Sequence, residues 1–97
     1  MNALLTPVQE YVERLENADS VEKNRIENAL VDIGEEAVPY LVDSIQSAEG
    51  RTRGILAMAL IRIGESSIDY LKRAAKGSRD FEWIADYLIT EIKGAAA

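Results

Sequence analysis

The chain contains no cysteine and no histidine, and only two of its 97 residues are proline. Without cysteine there is no disulfide framework and no thiolate metal site. Histidine is the commonest general base and cysteine the most reactive nucleophile, so their absence argues against most acid–base and covalent catalysis. The N-terminus has neither a basic region nor a long apolar stretch, and no run approaches the roughly 20 apolar residues of a membrane span. We therefore expect a cytoplasmic, non-enzymatic protein with no membrane span, cofactor or bound metal.

Acidic residues outnumber basic ones, and the excess lies in the first half of the chain. Residues 1–50 carry three basic and eleven acidic side chains, a net charge of −8, whereas residues 51–97 carry eight basic and six acidic ones, a net charge of +2. Neutralisation of phosphates by Lys and Arg supplies most non-specific affinity for nucleic acids. An acidic chain without a basic stripe therefore predicts no nucleic-acid partner, and the asymmetry predicts two differently charged ends.

A segment of thirteen residues returns thirty residues later. Residues 29–41 read ALVDIGEEAVPYL and residues 59–71 read ALIRIGESSIDYL, and seven of the thirteen positions are identical. A repeat of this period is typical of small supersecondary units that stack, because each unit needs its neighbours to bury its apolar face. The repeat therefore predicts a stack of similar units within one domain.

Apolar residues recur at helical spacing along the chain, and no segment alternates apolar and polar residues as a half-buried strand does. We predict an all-α domain over residues 1–97 with six helices. Its parts are an N-terminal capping helix at 1–18, a first repeat at 19–49, a second repeat at 50–77 and a C-terminal half repeat at 78–94.

Several residues mark the expected helix ends. Asp19 and Glu22 have capping-box-like spacing at the start of helix 2. Gly34 and Gly64 are predicted to close helices 2 and 4, because glycine adopts positive φ without a Cβ penalty. Ser66 or Ser67 is the expected cap of helix 5.

The first copy of the repeat, Ala-Leu-x-x-Ile-Gly-Glu-x-Ala-Val-Pro-x-Leu, resembles the HEAT-like repeat found in phycobilisome lyases. The second copy departs from the motif at Ser67 and Asp69, which replace Ala and Pro. The resemblance implies a short α-solenoid of about two and a half antiparallel helix pairs. It also implies that helices 3 and 5 line a concave inner face. Such repeats serve many functions, so the motif indicates the fold more strongly than the activity.

The concave face implied by the resemblance carries the residues that we expect to bind a partner. These are Tyr40, Asp43, Ser47, Tyr70, Arg73 and Lys76. The two tyrosines occupy equivalent positions and are suited to form an aromatic ladder for a peptide or a flat ligand. The alternative is that each ring packs against the neighbouring repeat with its hydroxyl in water.

Basic residues of the second half form another candidate surface, for an acidic partner. They are Arg51, Arg53, Arg62, Lys72, Arg73, Lys76 and Arg79. Arg51 and Arg53 lie where a helix begins, a position that is electrostatically unfavourable for cations. The alternative interpretation is structural, with salt bridges from these two arginines to Asp43 or Glu49 in the preceding repeat.

The last predicted helix has more apolar and aromatic residues than one face can bury. Phe81, Trp83 and Tyr87 predict either a well-filled cap or an oligomer interface. An end repeat that is not polar outside tends to stack on a second copy. A homodimer through the C-terminal helix is therefore one expectation.

We expect the protein to be a protein–protein interaction module, namely an adaptor, assembly factor or small regulatory subunit. Its protein partner is expected to bind the concave face of helices 3 and 5. The resemblance implies an alternative of another class, a tetrapyrrole- or bilin-related lyase subunit or chaperone of a phycobilisome system. A structural homo-oligomer through helix 6 is the third possibility.

Overall fold

A computed structural model describes residues 5–96 of the chain, and the side chains of residues 7–95. Over that range the backbone is helical and contains no strand. The α-helices are α1 (Leu5–Arg14), α2 (Ser20–Ile33), α3 (Val38–Ser47), α4 (Gly50–Ile63), α5 (Ile68–Gly77) and α6 (Arg79–Ala96). The predicted all-α class is confirmed.

Both copies of the repeat use the same connection between helices. α2 ends at Gly34 with φ +76° and ψ −138°, and α4 ends at Gly64 with φ +92° and ψ −143°. The positive φ confirms that these glycines close the helices, although ψ places both in the mirror image of the β region rather than in the left-handed helical region. A short 3₁₀ turn follows each glycine, at Gly34–Ala37 and at Glu65–Ser67. The Gly-Glu pair therefore marks the same kind of chain reversal in each of the two repeats.

Side-chain caps occur at one of the two predicted helix starts. The sequence allows either Asp19 or Ser20 as the cap of α2, and the cap is Asp19, whose carboxylate accepts a hydrogen bond of 2.8 Å from the backbone N–H of Glu22. The predicted serine cap of α5 is not formed among the described residues. Ser67 is instead fully buried, and its hydroxyl donates to the Leu60 carbonyl over 3.0 Å. This bond joins the 3₁₀ turn to the last turn of α4.

The α-helices pack in two layers. α1, α3 and α5 are successive neighbours in one layer, and α2, α4 and α6 are successive neighbours in the other. Leu30, Leu60, Leu41 and Leu71, the leucines shared by the two copies of the repeat, are all fully buried. Because every α-helix contributes a buried side chain, one continuous core lies between the layers and no helix packs independently.

Substituting Gly64 by alanine should lower the free energy of unfolding by about 1–3 kcal/mol. No atom lies within 4 Å of a Cβ built at Gly64, so the cost comes from its φ of +92° alone. Gly54, inside α4, provides the matched control because its φ is not positive and its Cβ position is equally open. Alanine there should raise the free energy of unfolding by about 0.5–1 kcal/mol, which urea denaturation measures. Equal destabilisation by both substitutions would contradict this assignment.

Candidate functional site

The residues expected to bind a partner on α3 and α5 do not share one groove. Tyr40 and Ser47 line a groove between α1 and α3, Asp43, Tyr70 and Arg73 line the next one between α3 and α5, and Lys76 lines a third between α5 and α6. The two tyrosines are half-buried and pack against the core, whereas Asp43, Ser47, Arg73 and Lys76 are exposed. A single partner segment would therefore have to cross several helices to contact all of them.

Each helix of this layer carries one tyrosine: Tyr40 and Tyr70 are the third residues of α3 and α5, and Tyr11 is the seventh residue of α1. The guanidinium of Arg73 lies 4.6 Å from the centroid of the Tyr70 ring, and that of Arg14 lies 5.3 Å from the Tyr11 ring, both within the range of a cation–π interaction. Tyr11 lies outside the repeat, because α1 is not preceded by the Gly-Glu motif. A continuous aromatic ladder would require the stacked arginines to be displaced.

An ion pair between repeats does form, at a different arginine from those expected. One terminal nitrogen of Arg62, on α4, donates to a carboxylate oxygen of Glu27 over 2.8 Å and to the side-chain oxygen of Asn28 over 2.9 Å. Both acceptors lie on α2. This contact therefore joins α4 to the preceding helix of the same layer.

The arginines at the start of α4 do not form the expected salt bridges. Among the described residues, neither Arg51 nor Arg53 is paired with Asp43 or Glu49. The Nε of Arg53 is shielded from solvent and has no hydrogen-bond partner in the described part of the chain. Buried donors without an acceptor are rare and destabilising. Arg53 therefore needs an explanation other than a structural salt bridge.

The three aromatic residues expected at an oligomer interface separate into two environments. Phe81 is 3% exposed and belongs to the core, whereas Trp83 and Tyr87 are 68% and 58% exposed. The Tyr87 hydroxyl donates to the carboxylate of Glu91 one turn later, over 3.4 Å. Trp83 and Tyr87 are therefore the aromatic side chains that α6 presents to an approaching molecule.

These two exposed rings border a groove of about 290 Å³ between α4 and α6. We call it the aromatic groove. Its walls are formed by Gly50, Arg53, Gly54 and Ala57 of α4 and by Trp83, Ile84 and Tyr87 of α6. Arg53 is the charged residue of this lining, and the remaining surface is almost wholly apolar.

The groove exists because one face of α4 lacks large side chains. Gly50, Gly54 and Ala57 follow one another at intervals of four and three residues, which places them on the same face of a helix. No atom lies within 4 Å of a Cβ built at either glycine, so the neighbouring α6 does not fill the space that they leave. The sequence signal for this site is therefore a small-residue face opposite two aromatic residues about thirty positions later.

Residues 5–96 contain neither a candidate metal site nor a candidate membrane-crossing segment. No three His, Cys, Asp or Glu side chains there are grouped so as to hold a metal ion. No helix in the same range combines the length and the apolar character that a membrane crossing requires.

The chain matches no protein-family model, no curated protein and no solved structure.

Replacing Arg53 with methionine should leave the free energy of unfolding unchanged or raise it by up to about 1 kcal/mol, because the change removes a donor that lacks an acceptor. The same replacement at Arg62 removes its hydrogen bonds to Glu27 and Asn28. That variant should lose about 1 kcal/mol. Urea denaturation of both variants gives the comparison. If the Arg53 variant is destabilised as much as the Arg62 variant, Arg53 makes a stabilising contact within the chain.

Proposed function

We propose that the protein is a non-enzymatic protein-interaction module, an adaptor, assembly factor or small regulatory subunit, that binds a partner protein in the aromatic groove. The observation that carries this proposal is the exposure of Trp83 and Tyr87 along the α6 wall of an apolar depression. Tryptophan and tyrosine are enriched among the residues that dominate binding energy at protein interfaces. Their exposure beside a preformed groove favours an interface there.

The groove is suited to receive an apolar side chain of the partner. Aromatic side chains provide large contact areas, and few rotatable bonds are immobilised when they bind. Both rings are carried by an α-helix, and the bond from Tyr87 to Glu91 restrains one of them. Little conformational entropy would therefore be lost when a partner covers them.

The surface formed by α3 and α5 is the second candidate for partner binding. Asp43, Tyr70 and Arg73 do share one groove between these helices. Arg73 already stacks on the Tyr70 ring, however, and so covers one of the two aromatic side chains that were expected to contact a partner. The aromatic groove of α4 and α6 is therefore favoured over this surface.

We further infer that the helices form a short α-solenoid of about two and a half HEAT-like helix pairs, with α1 as a cap and α6 as a half repeat. The two-layer packing of odd- and even-numbered helices supports this inference. The identical glycine connection in both copies supports it as well. The tetrapyrrole-related alternative rests on the resemblance of residues 29–41 alone.

The proposed function can be tested with a random dodecapeptide library displayed on phage and selected on the immobilised wild-type protein. We expect enriched peptides to bind with micromolar dissociation constants, and the Trp83→Ser/Tyr87→Ser double variant to bind them at least about tenfold more weakly. Both side chains are more than half exposed, so the double variant should keep the wild-type midpoint of urea unfolding within a small margin.

Met58→Ser is the matched control, because Met58 is 47% exposed on α4 and does not line the groove. It should leave the peptide affinities unchanged. Equal binding by the double variant, or a selection that enriches no peptide, would refute the proposal. Sedimentation at about 100 μM distinguishes a second copy of the chain as the occupant, since a dimer in the wild type alone would assign the groove to self-association.

A further inference from the structure

We propose that the partner segment in the aromatic groove is acidic as well as apolar. One of its apolar side chains packs between the α4 wall and the two exposed rings of α6, and a carboxylate of the same segment pairs with Arg53. This inference rests on the proposed function, because it specifies the chemistry of the partner at the same groove.

Arg53 has a hydrogen-bond donor without an acceptor. Its Nε–H is shielded from solvent and finds no acceptor among the described residues. The side chain as a whole is only partly buried and lines the groove, so its guanidinium lies at the groove wall. A carboxylate binds an arginine through two parallel hydrogen bonds, and a small rotation of this flexible side chain would offer Nε and one terminal nitrogen together. A bound carboxylate would therefore supply the missing acceptor.

The charges around the aromatic groove favour an acidic segment. Over its fourteen residues α4 contains three arginines and no acidic residue. Of the α6 carboxylates, Glu82 and Asp86 line a separate groove between α5 and α6, together with Lys72 and Lys76. Glu91 accepts the hydrogen bond from Tyr87 but does not line the aromatic groove. A carboxylate that enters the aromatic groove therefore meets a positive charge and no lining residue of its own sign.

The start of α4 adds to this preference. Glu49 occupies the position before the helix, but its side chain makes no capping hydrogen bond. The first N–H groups of the helix consequently lack a side-chain acceptor, and Gly50, the first helical residue, lines the groove. The positive end of the helix dipole lies at the same edge of the groove as Arg53, and both favour an anion there.

Other partner chemistries fit the groove less well. A purely apolar segment would cover the Arg53 guanidinium without neutralising it, and burial of an unpaired charge is strongly unfavourable. A basic segment would bring a like charge against the same group. The groove therefore selects a segment in which an apolar side chain and a carboxylate lie close together.

Two small probes with the same apolar body test this inference directly. 4-Phenylbutyrate carries a carboxylate, and 4-phenylbutyramide replaces it with a neutral amide. Trp83 is the single tryptophan of the chain, so its fluorescence reports occupation of the groove. We expect the carboxylate to bind about tenfold more tightly than the amide, because a charge-assisted pair with arginine is stronger than a neutral one. The Nε–H signal of Arg53 in a nitrogen–proton NMR spectrum should shift with the carboxylate only.

In the Arg53→Gln variant the preference for the carboxylate should fall to about twofold, the part that the N-terminus of α4 contributes. Arg51→Gln removes the same formal charge from the same helix at a residue that does not line the groove, and should preserve the tenfold preference. Equal affinity of both probes for the wild type would overturn the acidic preference and leave the apolar groove supported. An undiminished tenfold preference in Arg53→Gln would overturn the role of Arg53. No fluorescence change with either probe up to about 10 mM would overturn the groove itself and the proposed function with it.

Discussion

Helices as short as α1 to α5, with 10–14 residues each, are marginal in water on their own, so they depend on the apolar stripes that they bury against their neighbours. The buried stripes of both layers meet in one core, and the leucines repeated in the two copies lie at its centre. The directions of α3 and α5 follow from Gly34 and Gly64, the glycines that end the helices before them. Without the core contacts, none of these short helices would be stable.

The same constraint explains why a groove persists in a well-packed molecule. α4 lies between α2 and α6 and must pack against both as well as against α3. Leu56, Ala59 and Leu60 on one face of α4 are fully buried in the core. Gly50, Gly54 and Ala57 lie on another face, where they contribute almost no side-chain volume. Complete packing there would have required larger residues on α4 or an inward turn of the α6 aromatics, and the sequence provides neither.

Local features of the sequence were sufficient to predict most of the backbone. Asp19 caps α2, and Gly34 and Gly64 end their helices, because these effects depend on residues a few positions apart. The leucines that the two copies share are all buried, since a residue that recurs at one place in stacked units occupies the same layer of the core. The predicted serine cap of α5 was wrong at Ser67, because this side chain is buried and its hydroxyl bonds to the Leu60 carbonyl instead of to the start of the helix.

The candidate site was predictable only in part. An excess of aromatic residues on the last helix pointed to Trp83 and Tyr87, since seven or eight apolar positions cannot all face one way. The opposite wall was not visible, because the pairing of Gly54 with residues about thirty positions later depends on how two helices are aligned in space. The state of Arg53 was equally hidden. Sequence spacing placed acidic residues nearby, but it does not determine whether a long side chain reaches them.

The overall charge of the protein bears on how an acidic partner would be recognised. The formal net charge is −6, so the long-range field of the whole molecule opposes the approach of an acidic segment. At physiological ionic strength charges are screened over a Debye length of about 8 Å, and only groups close to the groove are then felt. The acidic excess lies in residues 1–50, whereas α4 and α6 belong to the half with a net charge of +2. Recognition would therefore depend on close contacts, the two rings and the guanidinium of Arg53, and would act on the lifetime of the complex more than on its rate of formation.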